Sequence, residues 1–267
     1  AKAIALQLIP EPEGEKNKYF RDGARRILRA LMLHLATSGQ PERCTLPEMW
    51  RFLNNRRRLD EAVAEMAGSR ALGGMVADLG EDLSHKIADN PEQFEDFLTS
   101  AQEAVDIFDP HGELGEAVSA SDFAFEDLKR GPMTVYLVID QAKIATHGQW
   151  LGLISRAGID AVSRTDGRQE VLFLLDEFQN MGKLAGLSEA LTALPGKGVR
   201  LWAFVQEMAD VVRIYGRETA QTLLSQAEVQ QFFAVQSAQL RDQLSRQLGT
   251  RTVKTRNYSL GREMNAD

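Results

Sequence analysis

Hydrophobic positions change their spacing part-way along the chain. Between residues 19 and 109 they recur at helical intervals. Ala24, Ile27, Leu28, Leu31 and Leu35 share one face, and Gly39 followed by Pro41 supplies a stop. Thr45-Leu46-Pro47-Glu48 has capping-box spacing, with the threonine placed to accept a backbone amide and the glutamate placed to reach back, so a second helix is predicted to start there. Asn90-Pro91 reads as a cap followed by a proline that needs no amide donor. Phe94, Phe97, Leu98, Ala101, Val105 and Phe108 then form an apolar stripe that ends at Asp109-Pro110, and core packing accounts for it.

From residue 132 short apolar runs alternate with helical stretches. Runs at 133–139, 171–175, 199–205 and 229–235 read as strands, and the segments 149–162, 187–194, 208–224 and 238–248 between and after them as helices. That alternation predicts an α/β arrangement, a parallel sheet with helices on its faces, following an all-α domain. The two patterns meet near residues 110–131, which hold His111-Gly112, Gly115 and Gly131-Pro132. No internal repeat or low-complexity tract interrupts either part.

The 267 residues, 43% hydrophobic and 7% aromatic, suffice for one large domain or two small ones and exclude disorder and collagen-like structure. The single cysteine, Cys44, rules out a disulfide framework and a multi-cysteine zinc site, which favours a reducing compartment. Apolar runs such as 135–139 and 171–175 fall far short of the roughly 20 residues of a membrane-spanning helix. The N-terminus, Ala1-Lys2-Ala3-Ile4, has no methionine and no signal-peptide pattern, and is expected to be the cut edge of something longer.

The formal charge of −7, from 31 basic and 38 acidic side chains, is unevenly spread. Residues 119–267 are balanced at 17 of each sign. Residues 16–70 carry 12 bases against 6 acids, while residues 71–118 carry one base, Lys86, against 12 acids. An acidic face of this density repels nucleic-acid phosphates and attracts basic peptides; the alternative is a solvated helix face with no partner. The run Arg56-Arg57-Arg58 is read as solvated surface rather than as a nucleic-acid contact.

The sharpest chemical signal is an apolar run, residues 171–175, that ends abruptly in Asp176-Glu177. In open parallel sheets ligands sit at the carboxyl ends of strands, so both acids are expected to face a binding crevice. The spacing matches a Walker B motif. Asp176 is then the acid that holds Mg2+ through its water shell, and Glu177 the one that orients or deprotonates the attacking water. A strand ending in a solvated turn is the plainer alternative. The next predicted strand ends in Gln206, an amide placed to sense a terminal phosphate or position water, or else simply to cap a helix.

The phosphate-gripping pattern Gly-x-x-x-x-Gly-Lys-Ser/Thr is not found: the Gly-Lys pairs, Gly182-Lys183 and Gly196-Lys197, are followed by Leu184 and Gly198. His34, His85, His111 and His147 are scattered without metal-ligand spacing, and no serine elbow or cysteine nucleophile constellation is present. The sequence holds the hydrolytic half of a nucleotide site without the half that grips phosphate.

Several segments together resemble the conjugative coupling proteins of type IV secretion systems, the TraG-like family. They are Gly131-Pro132-Met133-Thr134-Val135-Tyr136, Asp176-Glu177-Phe178 leading to Gly182-Lys183-Leu184, Gly198-Val199-Arg200-Leu201 ending in Gln206, Ile214-Tyr215-Gly216, and Gln230-Gln231-Phe232-Phe233. Upstream, Tyr19-Phe20-Arg21-Asp22-Gly23 looks like the entry to that family's all-α domain and residues 119–123 like its exit. The likeness runs in order over nearly the whole chain.

The resemblance implies a RecA-like ATPase that uses ATP and Mg2+ and assembles as a hexamer at the cytoplasmic face of the bacterial inner membrane. It implies recruitment of DNA–relaxase complexes or protein effectors to the secretion channel, with DNA and other secretion components as partners. By the same resemblance residues 1–18 end an upstream motor segment, 19–118 form the all-α recruitment domain, and 119–267 form the Walker B half of the nucleotide-binding domain. The phosphate loop and membrane anchor would precede Ala1, and this chain would be soluble and inactive alone. Asp176, Glu177 and Gln206 match the family's site positions, and Arg200 or Lys197 would be the cation acting across a subunit boundary. The rival readings are another RecA-like DNA-translocating ATPase and a binding module that works without nucleotide.

Overall fold

The computed structural model describes residues 1–11, 18–187, 191–233 and 235–249. The chain divides into one unit of residues 1–226 and a second from residue 227 onward. The first begins with α1 (Lys2–Leu8) and α2 (Lys18–Thr37), whose apolar stripe, Ala24, Ile27, Leu28, Leu31 and Leu35, is buried.

Helix α3 (Leu46–Leu53) starts where the sequence predicts, with Thr45 Oγ1 accepting from the Glu48 amide at 3.3 Å. The reciprocal half of the capping box does not form. Glu48 instead accepts from Arg43 at 2.6 Å and Arg51 at 3.1 Å, because charged donors outbid a neutral backbone amide. Asn55 caps α4 (Arg56–Ala67), α5 (Met75–Asp89) follows, and Asn90 caps α6 (Pro91–Val105) by accepting from Gln93 N at 3.4 Å. All six residues of the aromatic-rich stripe, Phe94 to Phe108, are buried, and together with Leu28, Leu31, Met49, Leu53, Leu59, Met66 and Leu83 they build the helical core. Each such side chain contributes about 1.5–3 kcal/mol on leaving water. A short α7 (Glu113–Ala117) closes the helical region.

Two elements tie the helical core to the C-terminal half of the unit. Helix α1 contributes Ala5 and Leu8 to it, and the long α8 (Ile144–Arg164) contributes Leu153. Beyond α8 lie β1 (Val171–Leu175) and β2 (Val199–Ala203), paired in parallel with Val171 opposite Val199 and Leu175 opposite Ala203. On one side of the pair, Val171 and Val199 pack with Ile159 and Val162 of α8, and Leu175 packs with Phe178, Met181, Leu184 and Tyr215. The other side is open: Leu172 is 54% exposed, Leu174 56% and Trp202 46%. Parallel sheets are ordinarily covered on both faces.

Three sequence expectations are corrected. Residues 133–139 alternate in burial from Val135 to Ile139 but join no ladder, and Tyr136 and Val138 are each 83% exposed. A strand is defined by a partner that takes its amides and carbonyls, and among the described residues only β1 and β2 provide one for each other. The helix expected over 208–224 is two, α9 (Met208–Tyr215) and α10 (Arg217–Gln226), because Gly216 at φ 80°, ψ 159° leaves the helical region. In the second unit residues 229–233 and Val235 form no strand, while Ala234 lies outside the described residues. The helix expected over 238–248 forms as α11 (Ala238–Leu248), with Ser237 Oγ accepting from Leu240 N at 3.4 Å. The expectation over 187–194 lies partly outside the described residues. Among the described residues no helix is long and apolar enough to cross a membrane.

Candidate functional site

Strand pairing carries on past the ends of both strands. Phe204 N donates to Leu175 O at 2.9 Å and Phe178 N to Phe204 O at 3.0 Å, so the segments that leave β1 and β2 stay side by side. Asp176-Glu177 and Gln206 are therefore brought together by the sheet itself. Gln206 Nε2 donates to Glu177 Oε1 at 3.2 Å.

The turn that presents Glu177 is strained. Its backbone sits at φ 46°, ψ 49°, the left-handed region that L side chains avoid at a cost of roughly 1–3 kcal/mol. Asp176 Oδ1 accepts from the Glu177 amide at 3.0 Å, and Asn180 N donates to Glu177 O at 2.7 Å. A second amide reaches the carboxylate: Asn180 Nδ2 donates to Glu177 Oε2 at 2.6 Å. Each oxygen of Glu177 thus has one neutral donor.

Asp176 is exposed, and among the described residues it has no ion-pair partner. No group of three or more His, Cys, Asp or Glu side chains with metal-holding geometry is found among the described residues. Mg2+ typically keeps several waters and takes one or two protein carboxylates beside substrate phosphates, so Asp176 with one oxygen uncommitted fits that ion as a single ligand or through water.

The segment after the acids is clamped from three sides. Tyr215 Oη accepts from Leu184 N at 3.1 Å and donates to Gly182 O at 3.4 Å, and its ring stacks on Phe178 with centroids 5.5 Å apart. Burial pushes the phenol up to about 12, against a smaller opposite effect of the Leu184 amide. Gln7, only 2% exposed, donates to Lys183 O at 2.9 Å and accepts from Ala185 N at 2.9 Å. On α8, Gly148 and Gly152 let the backbone in: a Cβ at either would come within 2.2 Å of Asn180 O or Met181 O.

Arg200 and Lys197 lie elsewhere. Arg200 is the second residue of β2, ion-paired to Glu170 at 3.1 Å, six residues before Gln206 and so roughly 20 Å along an extended chain. Lys197 sits in the turn before β2, its carbonyl taken at 2.6 Å by the buried ammonium of Lys129, which also bonds Gln169 O and Gly198 O. Among the described residues no histidine joins a group able to hold a metal ion; His34 is held below its ordinary pKa by burial, against the opposing charge of Glu65.

Sequence reasoning gave no site role to Asn180, Gln7 or the two glycines, and noted Tyr215 only as part of a family-like segment. Asn180 follows Glu177 by three residues, a local spacing that was legible. Gln7 is separated from its partners by more than 170 residues and left no local signal.

Of the 12 acids in residues 71–118, all but the half-buried Asp82 and Asp109 are exposed. Asp82 pairs with Arg26 at 3.3 Å and Lys86 at 2.5 Å, and Glu95 pairs with Arg56. Glu92, Asp96 and Glu103 share one exposed side of α6, with no ion pair among the described residues.

Comparison with known proteins identifies the family and the fold. Residues 1–266 match the family described as type IV secretory system conjugative DNA transfer. The chain is 32% identical over 147 residues to Protein VirD4 of Agrobacterium fabrum, covering 54% of this chain and 22% of that protein. It is 25% identical over 268 residues to the conjugal transfer protein TraG of Escherichia coli, covering 92% and 41%. The type IV secretion system-coupling protein VirD4 of Bartonella quintana is 22% identical over 267 residues, covering 94% and 40%. The chain therefore spans well under half the length of these relatives.

Among solved structures, the plasmid coupling protein TrwB in complex with ADP and Mg2+ aligns at TM-score 0.60 and 18% identity, covering 84% of this chain and 50% of that one. The form with a non-hydrolysable ATP analogue aligns at 0.62. At that identity the likeness speaks for the fold. By its match over residues 1–266, the chain belongs to the type IV secretion family of conjugative DNA-transfer coupling proteins.

Proposed function

We propose that this chain supplies the substrate-recruiting helices, residues 19–118, and the Walker B half, residues 119–267, of an ATPase that delivers DNA–relaxase complexes or protein effectors to a type IV secretion channel. The observation that carries this reading is the contact of Gln206 with Glu177 across the tips of two parallel strands, beside an uncommitted Asp176. Strand tips are where open parallel sheets bind ligands, and a carboxylate held by amides is equipped to orient water.

In this reading Asp176 holds Mg2+, and the ion, when bound with ATP, neutralises charge on the phosphates. Glu177 orients or deprotonates the attacking water, and Gln206 contacts the terminal phosphate or that water. The sequence lacks a phosphate-gripping loop, so turnover requires one from outside these 267 residues. Arg200 and Lys197, remote from Glu177 within one chain, have a role only across a boundary between copies, as in a hexameric ring at the inner membrane.

Glu177→Gln in the native protein keeps the shape of the site and removes the base. Nucleotide binding is expected to persist while turnover falls by roughly 100-fold or more, the usual contribution of a general base. Turnover at the unaltered rate refutes the assignment. The missing phosphate loop favours one alternative, a recruiting module that needs no nucleotide; failure of the native protein to bind ATP would select it.

A further inference from the structure

Two amides hold Glu177, and they are built differently. Asn180 lies at 2.6 Å from Oε2 and Gln206 at 3.2 Å from Oε1. Asn180 belongs to the same tight turn as the glutamate, its own N–H bonded to Glu177 O at 2.7 Å. Its carbonyl is pressed against Gly148 of α8, where a Cβ would come within 2.2 Å, and the flanking Phe178 and Met181 are buried at 4% and 6% exposure. Gln206 sits in an exposed connection after β2. One donor is anchored through its own backbone; the other sits on an exposed connection.

With the role proposed above for Glu177 as its premise, we propose that Asn180 is a positioning residue: it keeps hold of one carboxylate oxygen throughout, while Gln206 is the donor exchanged for nucleotide or water. The left-handed backbone at Glu177 supports this. A strained residue relaxes unless its surroundings over-determine it, and two bonds from Asn180, backbone to Glu177 O and side chain to Oε2, do so beside the bond of the Glu177 amide to Asp176 Oδ1; of these, the Asn180 side chain alone holds the carboxylate. Releasing Gln206 leaves the carboxylate aimed, with Oε1 available. Releasing Asn180 lets the side chain swing.

The first test needs no turnover and uses this chain. Side-chain amide signals are followed by NMR with hydrogen exchange. The Asn180 NH2 is expected to exchange at least tenfold more slowly than that of Gln206, and to lose this protection in Glu177→Ala. Equal exchange at the two amides, or an Asn180 signal indifferent to Glu177→Ala, overturns the inference.

The second test uses the native protein. Asn180→Asp keeps size and backbone but replaces the donor with a like charge facing Glu177. It is expected to lower kcat by up to about 100-fold, the cost of misplacing a reacting group by about 1 Å, while KM for ATP and the melting temperature stay within twofold and a few degrees. A raised KM with unchanged kcat, or unchanged kinetics, overturns it. Unimpaired turnover in Glu177→Gln would instead remove the role of Glu177, with the NMR result on the Asn180 contact standing by itself.

Discussion

Alanine in place of a helical glycine ordinarily stabilises a protein by about 1 kcal/mol, because glycine carries a backbone entropy cost that alanine does not. Gly152→Ala is expected to have the opposite sign. Gly152 lies in α8, and a Cβ built there comes within 2.2 Å of Met181 O, 3.3 Å of Gln7 Nε2 and 3.3 Å of Leu184 Cδ2. The nearest neighbour is backbone, in a segment fixed by Gln7 and by Tyr215. Ordinary contact demands a retreat of about 1 Å by α8 or by that segment, and overpacking of this kind costs roughly 2–3 kcal/mol. Subtracting the helical gain leaves a loss of about 1–2 kcal/mol, or roughly 2–8 °C in Tm for a chain of this size. Thermal and urea unfolding of the purified chain measure it. The reasoning is refuted if Gly152→Ala melts at or above the parent, since that result means the close approach of α8 to the post-acid segment does not exist.

Other outcomes rest on separate contacts. Lys129→Met strips the ammonium that serves three carbonyls at the start of the strands, and is expected to lower the urea midpoint by the equivalent of about 2–3 kcal/mol; an unchanged midpoint refutes the staple. Burial alone would raise Glu48, but its bonds to Arg43 and Arg51 and the charges of Arg43 and Arg58 outweigh it, and the carboxyl titrates below its ordinary 4.5. The stability this contributes is complete above pH 4.5 and is lost as pH falls through the lower, folded value, so Tm measured against pH should decline less steeply below 4.5 in Glu48→Gln than in the parent. Charge reversal at Glu92, Asp96 and Glu103 is expected to weaken binding of basic secretion-signal peptides, and the parent's affinity should fall as salt rises; titrations insensitive to both changes would leave this side of α6 without a partner.

Local chemistry made much of the helical part legible. The stripes of α2 and α6, the Thr45 and Asn90 caps and the burial of Phe94 through Phe108 follow from period and capping, which depend only on neighbours in sequence. Where a side chain had a distant, better partner, local logic failed: Glu48 left its capping box for Arg43 and Arg51. The same split runs through the candidate site. Asp176, Glu177 and Gln206 stand out because polar residues end apolar runs. Asn180 was within reach of the same reasoning, but an asparagine in a turn has an ordinary explanation until its amide is seen on Glu177.

The sequence by itself determined the helices of the N-terminal part, the two apolar runs that pair as β1 and β2, the acid pair at a strand end, the polarised charge of the helices and, through ordered motifs, the family. Tertiary structure decided which tips meet: the parallel register of β1 with β2 brings Gln206 to Glu177 and leaves Arg200 at the far end. It also decided that residues 133–139 join no ladder among the described residues. The reason is that strand identity and site geometry belong to pairs of segments. Apolar period reports what each segment can bury, whereas a ladder or a two-amide grip exists only once chain folding has placed a second segment within hydrogen-bond reach.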